Sequence, residues 1–214
     1  MTSSKELIQF LKTSEGKNLK GLSRLKTIYR PFICPFDQLL DQIPKRSAVF
    51  DLGCGSGSLL SLINHFRDPA KLGGIEITNQ LVENARLLLS SANIPVSINP
   101  YDGVSIPEEI GEYNVVTMID VFHHIPPSIQ TDFFSQLYRK MGHNSILIFK
   151  DIDASSPFVY ANKLHDMLLA GEIGNEWKAG AITKKMEEVG FKCSKTEYKH
   201  MIVYPHYTIV ARKQ

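Results

Sequence analysis

Val49-Phe50-Asp51-Leu52-Gly53-Cys54-Gly55-Ser56-Gly57 is the stretch that decides the fold. The apolar run from Ser47 to Leu52 ends in a loop with glycine at every second position, and Ser58 to His65 follows with helical spacing. A short strand that is apolar on both faces belongs in the middle of a parallel sheet. The glycines let the backbone turn sharply and approach a ligand closely. The helix N-terminus behind them offers free N–H groups to an anion such as a carboxylate. Two features narrow that ligand. The dinucleotide pattern Gly-x-Gly-x-x-Gly needs a glycine where the chain has Ser58. Asp51 stands just before the first glycine, where its charge repels a pyrophosphate and tolerates a cationic ligand.

Working outward, the same rhythm repeats. Leu72 to Ile77 reads as a second strand. Asn79 to Ser91 reads as a helix with Leu81, Ala85, Leu88 and Leu89 on one side and Thr78 as N-cap. Val96 to Asn99 and Asn114 to Asp120 read as the third and fourth strands, Ile129 to Lys140 as a helix, and Ser145 to Lys150 as the fifth strand. Residues 157–170 and 181–189 have helical spacing, the second stretch stopped by Gly190. Phe191 to Lys199 and Met201 to Ala211 alternate like a closing hairpin. Strand alternating with helix predicts an α/β fold, a doubly wound, seven-stranded, mostly parallel sheet over residues 46–214. Residues 1–45 form a helical extension: a short helix over 5–13, breaks at Gly16 and Gly21, a turn or two from Leu22 to Tyr29, interruptions at Pro31 and Pro35, and a helix from Phe36 to Ile43. Tyr29, Phe32, Ile33 and Phe36 are too apolar for a free tail, so residues 22–37 are expected to lie over the pocket mouth as a lid.

In a doubly wound sheet the ligand lies beyond the C-terminal ends of the strands. The five strands end at Asp51, Glu76, Asp102, Asp120 and Asp151, and all five are acids. A strand end has no structural need for a carboxylate, so the recurrence marks these residues as site candidates.

On these residues the chain resembles the class I S-adenosylmethionine-dependent methyltransferases of the small-molecule, methyltransferase-11/12-like type, over about residues 46–211. The resemblance implies S-adenosylmethionine as cofactor and S-adenosylhomocysteine as product. It implies that Gly53, Gly55 and Gly57, with Asp51, hold the amino-acid end of the cofactor, and that Glu76 accepts both ribose hydroxyls. Asp102 and Gly103 would touch the adenine amino group and Asp120 would line the same pocket; apart from the resemblance, Tyr29 to Asp37 reads either as a lid that brings Arg30 near the cofactor carboxylate or as a plain docking segment. In Met118-Ile-Asp120-Val-Phe-His123-His124-Ile-Pro, either histidine is a candidate general base, since imidazole titrates near neutrality; a purely structural role for the pair stays open. His165 and Trp177 could reach the acceptor or simply pack. Asp151 and Asp153 lack further acids in register, so no metal is expected. Met141 to Ser145 departs from the usual Pro-Gly-Gly before strand five, which leaves the subfamily open.

The implied acceptor is a small molecule methylated on oxygen or carbon. No Asn/Asp-Pro-Pro-Tyr/Phe motif follows strand four, which argues against base-amino methylation and makes nucleic acid an unlikely partner. Alternatives are an RNA methyltransferase using a basic N-terminal segment, a nicotinamide-dependent oxidoreductase, and a non-catalytic cofactor-binding protein. The charge is uneven: residues 1–46 carry +5, residues 47–183 carry −7 and residues 184–214 carry +4. The basic residues are spaced out, as on a solvated helix face. With 214 residues, 43% hydrophobic and 21% charged, the chain is one domain with its own core. It has no apolar run long enough to span a bilayer and no signal-type core, so the cytoplasm is the expected location. Cys34, Cys54 and Cys193 have no pairing or zinc spacing and read as free thiols.

Overall fold

A computed structural model describes residues 3–13, 19, 21–155, 175–202 and 204–214. The chain forms two compact units, Met1–Ser105 and Ile106–Gln214. Its seven-stranded sheet has the order β3-β2-β1-β4-β5-β7-β6.

In the first unit, β1 (Ala48–Leu52), β2 (Lys71–Glu76) and β3 (Val96–Pro100) are parallel, with Asp51 opposite Gly74 and Glu76 opposite Pro100. The helices α4 (Ser58–Arg67) and α5 (Asn79–Leu88) connect them. Both connectors are amphipathic; α4 buries Leu59, Leu60, Leu62 and Ile63, and α5 buries Val82, Ala85 and Leu88. The N-terminal helices α1 (Ser4–Thr13), α2 (Gly21–Ile33) and α3 (Phe36–Gln42) all pack against α4. Phe10 of α1 stacks on His65 at 4.1 Å between ring centres and meets the edge of Phe66. Leu7, Leu11, Leu39 and Ile43 are fully buried, so the extension belongs to the core.

In the second unit, β4 (Val115–Ile119) and β5 (Ile146–Ile152) are parallel, while β6 (Lys192–Met201) and β7 (Tyr204–Arg212) form an antiparallel hairpin whose second strand pairs with β5. Helices α6 (Gln130–Lys140) and α7 (Ala179–Glu188) pack beside it. Phe122, Phe134, Phe149 and Tyr207 form one chain of ring contacts in this core. The C-terminus of α6 is closed by the buried Lys213 ammonium, which donates to the carbonyls of Arg139 (2.9 Å) and Met141 (2.6 Å). The loop before β5 makes its turn with Gly142, where a Cβ would lie 2.8 Å from the Gly111 carbonyl oxygen, and with Asn144 in the left-handed region.

The expected strands are all present, with ends shifted by up to three residues. One local expectation fails. Pro31 does not interrupt α2 but sits in its last turn. Its missing N–H costs the helix only the bond to Thr27, and the next turn is closed by Cys34 N–H donating to the Arg30 carbonyl at 2.9 Å. Thr78 does occupy the N-cap of α5, but its side chain makes no cap hydrogen bond. The expected helix over 157–170, with His165, lies outside the described residues.

Candidate active site

The first unit holds the glycine loop and three of the five acidic candidates, Asp51, Glu76 and Asp102. Gly53 and Cys54 N–H both donate to the Ile75 carbonyl, at 2.9 and 3.0 Å, tying the loop to the end of β2. Gly53, Gly55 and Gly57 all have positive φ, at 72°, 54° and 79°. At Gly57 glycine is required twice over, because a Cβ there would also lie 3.0 Å from the Ala85 Cβ of α5. The loop is shaped by the neighbour strand too: a Cβ at Gly74 would sit 3.1 Å from Cys54 Cβ. The buried Cys54 thiol is pushed far above its ordinary range by burial, then by the charges of Asp51 and Glu76, so it is no nucleophile.

Glu76 is 8% exposed, and both carboxylate oxygens are engaged by backbone: Oε2 accepts from Gly55 N–H and Oε1 from Thr78 N–H, each at 3.0 Å. The carboxylate thus links the glycine loop to the start of α5. Each oxygen keeps a further lone pair. Asp51 is buried at the end of β1 beside this loop. Asp102 is exposed and closes its own turn, its Oδ1 accepting from Val104 and Ser105 N–H at 2.8 Å each. Those bonds, Ser105 first, hold its carboxyl below the usual range. Gly103 follows with φ 81°. Arg30 is half-buried in the last turn of α2.

The second unit holds two pairs. Asp120 adopts φ 56°, a left-handed conformation that aspartate tolerates better than most residues. Its carboxylate is paired with the Lys150 ammonium, which is wholly buried, and its N–H donates to the Lys150 carbonyl at 2.9 Å. His123 is 3% exposed, with Nδ1 2.6 Å from Asp151 Oδ1. Asp151 is fixed from two further directions: Oδ2 accepts from His123 N–H at 3.2 Å and Oδ1 from Ile152 N–H at 2.8 Å. With Nδ1–H donated to a carboxylate, the neutral imidazole presents Nε2 as a lone pair. His124, its ring 4.1 Å from that of His123, is exposed. Asp153 turns instead to Ser155, accepting from its N–H at 3.0 Å and its hydroxyl at 2.6 Å. Trp177 forms a bridge to Asp153 and lies under the Lys185 ammonium, 4.9 Å from the ring centre. Among the described residues no group of three or more His, Cys, Asp or Glu is placed to hold a metal ion. Sequence reasoning had Asp151 and His123 as separate candidates and missed their pairing, and it had no signal for Lys150 as the partner of Asp120.

Among the described residues, no helix is long and apolar enough to cross a membrane. A family model described as a methyltransferase domain matches residues 27–196. The carboxy-S-adenosyl-L-methionine synthase of Campylobacter curvus is 23% identical over 109 residues, 51% of this chain and 46% of that protein; the match thus spans about half the length of that curated relative. Among solved structures, a chain of the complex between the Haloferax volcanii Trm112 methyltransferase activator and a methyltransferase has a TM-score of 0.73 at 11% identity, covering 97% of both chains. The magnesium protoporphyrin IX methyltransferase of Synechocystis PCC 6803, seen with bound S-adenosylhomocysteine, has a TM-score of 0.68 at 16% identity over 99% of this chain and all of its own. These neighbours share the fold, and the family model covers most of the chain: it belongs to the methyltransferase-domain family, the class I S-adenosylmethionine-dependent methyltransferases.

Proposed function

We propose that this protein transfers a methyl group from S-adenosylmethionine to a small-molecule acceptor, on oxygen or carbon, with a hydroxyl oxygen favoured. The buried His123–Asp151 pair carries the reading, because methylation of a hydroxyl must release the hydroxyl proton to a base, whereas an acceptor atom that bears no proton to lose needs none. The residues of the first unit fit the cofactor. Glu76 is a buried, backbone-held carboxylate with lone pairs left for a diol, and the Gly53–Gly57 loop ends at the N-terminus of α4, where N–H groups suit a carboxylate. The relative named for carboxy-S-adenosyl-L-methionine and the neighbour with bound S-adenosylhomocysteine support the same ligand.

When bound, S-adenosylmethionine supplies an electrophilic methyl carbon whose C–S bond electrons stay on sulfur as the acceptor's electron pair forms the new bond. Glu76 would hold the ribose, and Asp51, Arg30 and the loop glycines the amino-acid end. Asp102 and Gly103 would border the adenine. Asp120, held by Lys150, would act on the ligand through the shape of its strand end. His123 Nε2 would take the acceptor proton while Asp151 keeps the ring in the right tautomer and steadies the imidazolium. His124 would have no proton-transfer role.

The test uses radiolabelled S-adenosylmethionine with a panel of hydroxylated small molecules. His123→Ala should lower kcat by about 10²–10⁴ and His124→Ala by less than about tenfold. S-adenosylhomocysteine should bind both variants as it binds the wild type. Equal losses at the two histidines, or a loss tracked by weaker S-adenosylhomocysteine binding, would remove the base assignment.

A further inference from the structure

Tyr207 is 1% exposed, and among the described residues its hydroxyl makes no hydrogen bond. A buried phenol normally finds a partner, since leaving one unpaired costs stability. Tyr207 is the cross-strand partner of Asp151 on β5 and of Tyr198 on β6. Directly opposite residues of antiparallel strands share a face and touch, so the phenol stands beside the carboxylate that holds His123. Its ring packs against Phe149, 6.1 Å between centres. Burial, then the charges of Asp151 and Asp153, push the phenol far above its ordinary range, so it stays protonated and remains a donor. A second buried donor without a partner among the described residues is the indole N–H of Trp177, whose backbone bridges Asp153, two residues along β5 from Asp151. Two buried donors without a partner among the described residues, on Tyr207 and Trp177, therefore belong to the strand positions facing Asp151 and Asp153, and Asp151 holds His123.

We infer that Tyr207 is an acceptor-binding residue: its hydroxyl donates to the acceptor oxygen whose proton His123 Nε2 takes, and the acceptor is an uncharged phenolic or enolic compound. The inference rests on the methyl-transfer reading. The donor stabilises the negative charge that develops on that oxygen as its proton leaves, before the oxygen's electron pair forms the bond to the methyl carbon. The neutrality follows from the surroundings. Asp151 and Asp153 stand at this end of β5, the Lys185 ammonium lies over the Trp177 ring and the Lys150 ammonium is paired with Asp120, so an anionic acceptor meets repulsion. The acidity follows from the base: an imidazole removes the proton of a phenol or enol far more readily than that of an aliphatic alcohol.

Tyr207→Phe removes only the hydroxyl oxygen and leaves the ring on Phe149. The full chain, saturated with S-adenosylhomocysteine, is titrated with phenol, catechol and benzoate by ligand-observed NMR, and its melting temperature is measured. Wild type should bind phenol and catechol and prefer both to benzoate. Tyr207→Phe should weaken catechol binding at least about fivefold, leave S-adenosylhomocysteine affinity unchanged, and melt at the same or a higher temperature, because a buried unpaired hydroxyl has been removed. A purely structural tyrosine would melt lower and bind catechol as before. Unchanged catechol binding in the variant, absence of phenol and catechol binding to the wild type, or preference for benzoate overturns the inference while the cofactor reading stands. Failure of the wild type to bind S-adenosylhomocysteine would instead refute the methyl-transfer reading itself.

Discussion

Replacing Glu76 by alanine should weaken S-adenosylhomocysteine binding about a hundredfold, and the magnitude can be worked from the carboxylate's surroundings. Two ribose hydroxyls donating to a buried carboxylate are charge-assisted bonds worth about 1.5–3 kcal/mol each. The nominal loss is about 3–6 kcal/mol, or roughly two to four decades in Kd at about 1.4 kcal/mol per decade. The lower end is expected, because water enters the truncated site and partly replaces the lost acceptor. A second loss comes from the protein itself. Gly55 and Thr78 N–H, each 3.0 Å from a Glu76 oxygen, lose their acceptor together, and the loop is no longer tied to the start of α5. Glu76→Gln separates the contributions. It keeps one oxygen but turns an NH2 group toward one of those two backbone donors, so it should still lose at least about tenfold in affinity. Isothermal calorimetry with S-adenosylhomocysteine reads both variants, and circular dichroism checks that β1 to β3 still fold. Alanine binding within about threefold of wild type would mean that Glu76 only staples the loop, and the ribose assignment would be wrong.

Gly57→Ala should destabilise the protein by about 2–4 kcal/mol, from a strained φ of 79° and a Cβ 3.0 Å from that of Ala85. Thermal melting reads it as a drop of about 5–15 °C. Adding Ala85→Gly should relieve only part of the steric cost, because the Cα of residue 85 stays 3.1 Å from the new Cβ; a Gly57→Ala variant that melts with wild type refutes the reasoning. Cys193 is half-buried, and burial, then the charge of Glu187, push its thiol up to about 11 from 9.0. A raised value means less thiolate at neutral pH, about a hundredfold less, offset about tenfold by the greater nucleophilicity of a more basic thiolate. Disulfide-exchange labelling near about pH 8 should therefore run about tenfold slower than for a free thiol and quicken up to about pH 11; a rate equal to that of the free thiol refutes it.

The order of strands and helices was legible because β1, β2, β4 and β5 are short and apolar with an acid at or next to the end, and because glycines or prolines mark most of the breaks. The extension was read less well. Pro31 looked like a stop, yet α2 runs through it, since the buried Thr27, Ile28 and Cys34 hold the helix together on the side facing α1 and α4. Propensity gave way to packing there, as it does wherever a helix is fixed by its buried face. The four aromatic and apolar residues expected to be covered also divided. Phe36 is buried, Ile33 partly so, and Tyr29 and Phe32 stack on each other with much of their surface exposed.

The acids at the strand ends were legible as a set, but their partners were not, and β5 shows why. Lys150 and Asp151 are consecutive, and side chains on a strand point alternately to its two faces. Lys150 therefore turns to Asp120 on one face, while Asp151 turns to His123 and Tyr207 on the other. Which acid meets which base depends on register: β4 and β5 pair with Ile119 opposite Lys150, and β7 sets Tyr207 opposite Asp151. A slip of one residue would send the lysine toward the histidine and leave both carboxylates on the other face, with no base fixed in its tautomer. No local pattern in Ser145 to Lys150 carries that register. It is fixed by the burial of Ile148 and Phe149 on their respective faces and by the hairpin, some fifty residues further on, that closes against them. The residues of the candidate site can thus be named from sequence, while the Asp120–Lys150 and His123–Asp151 pairs form only with β4 and β5 in this register.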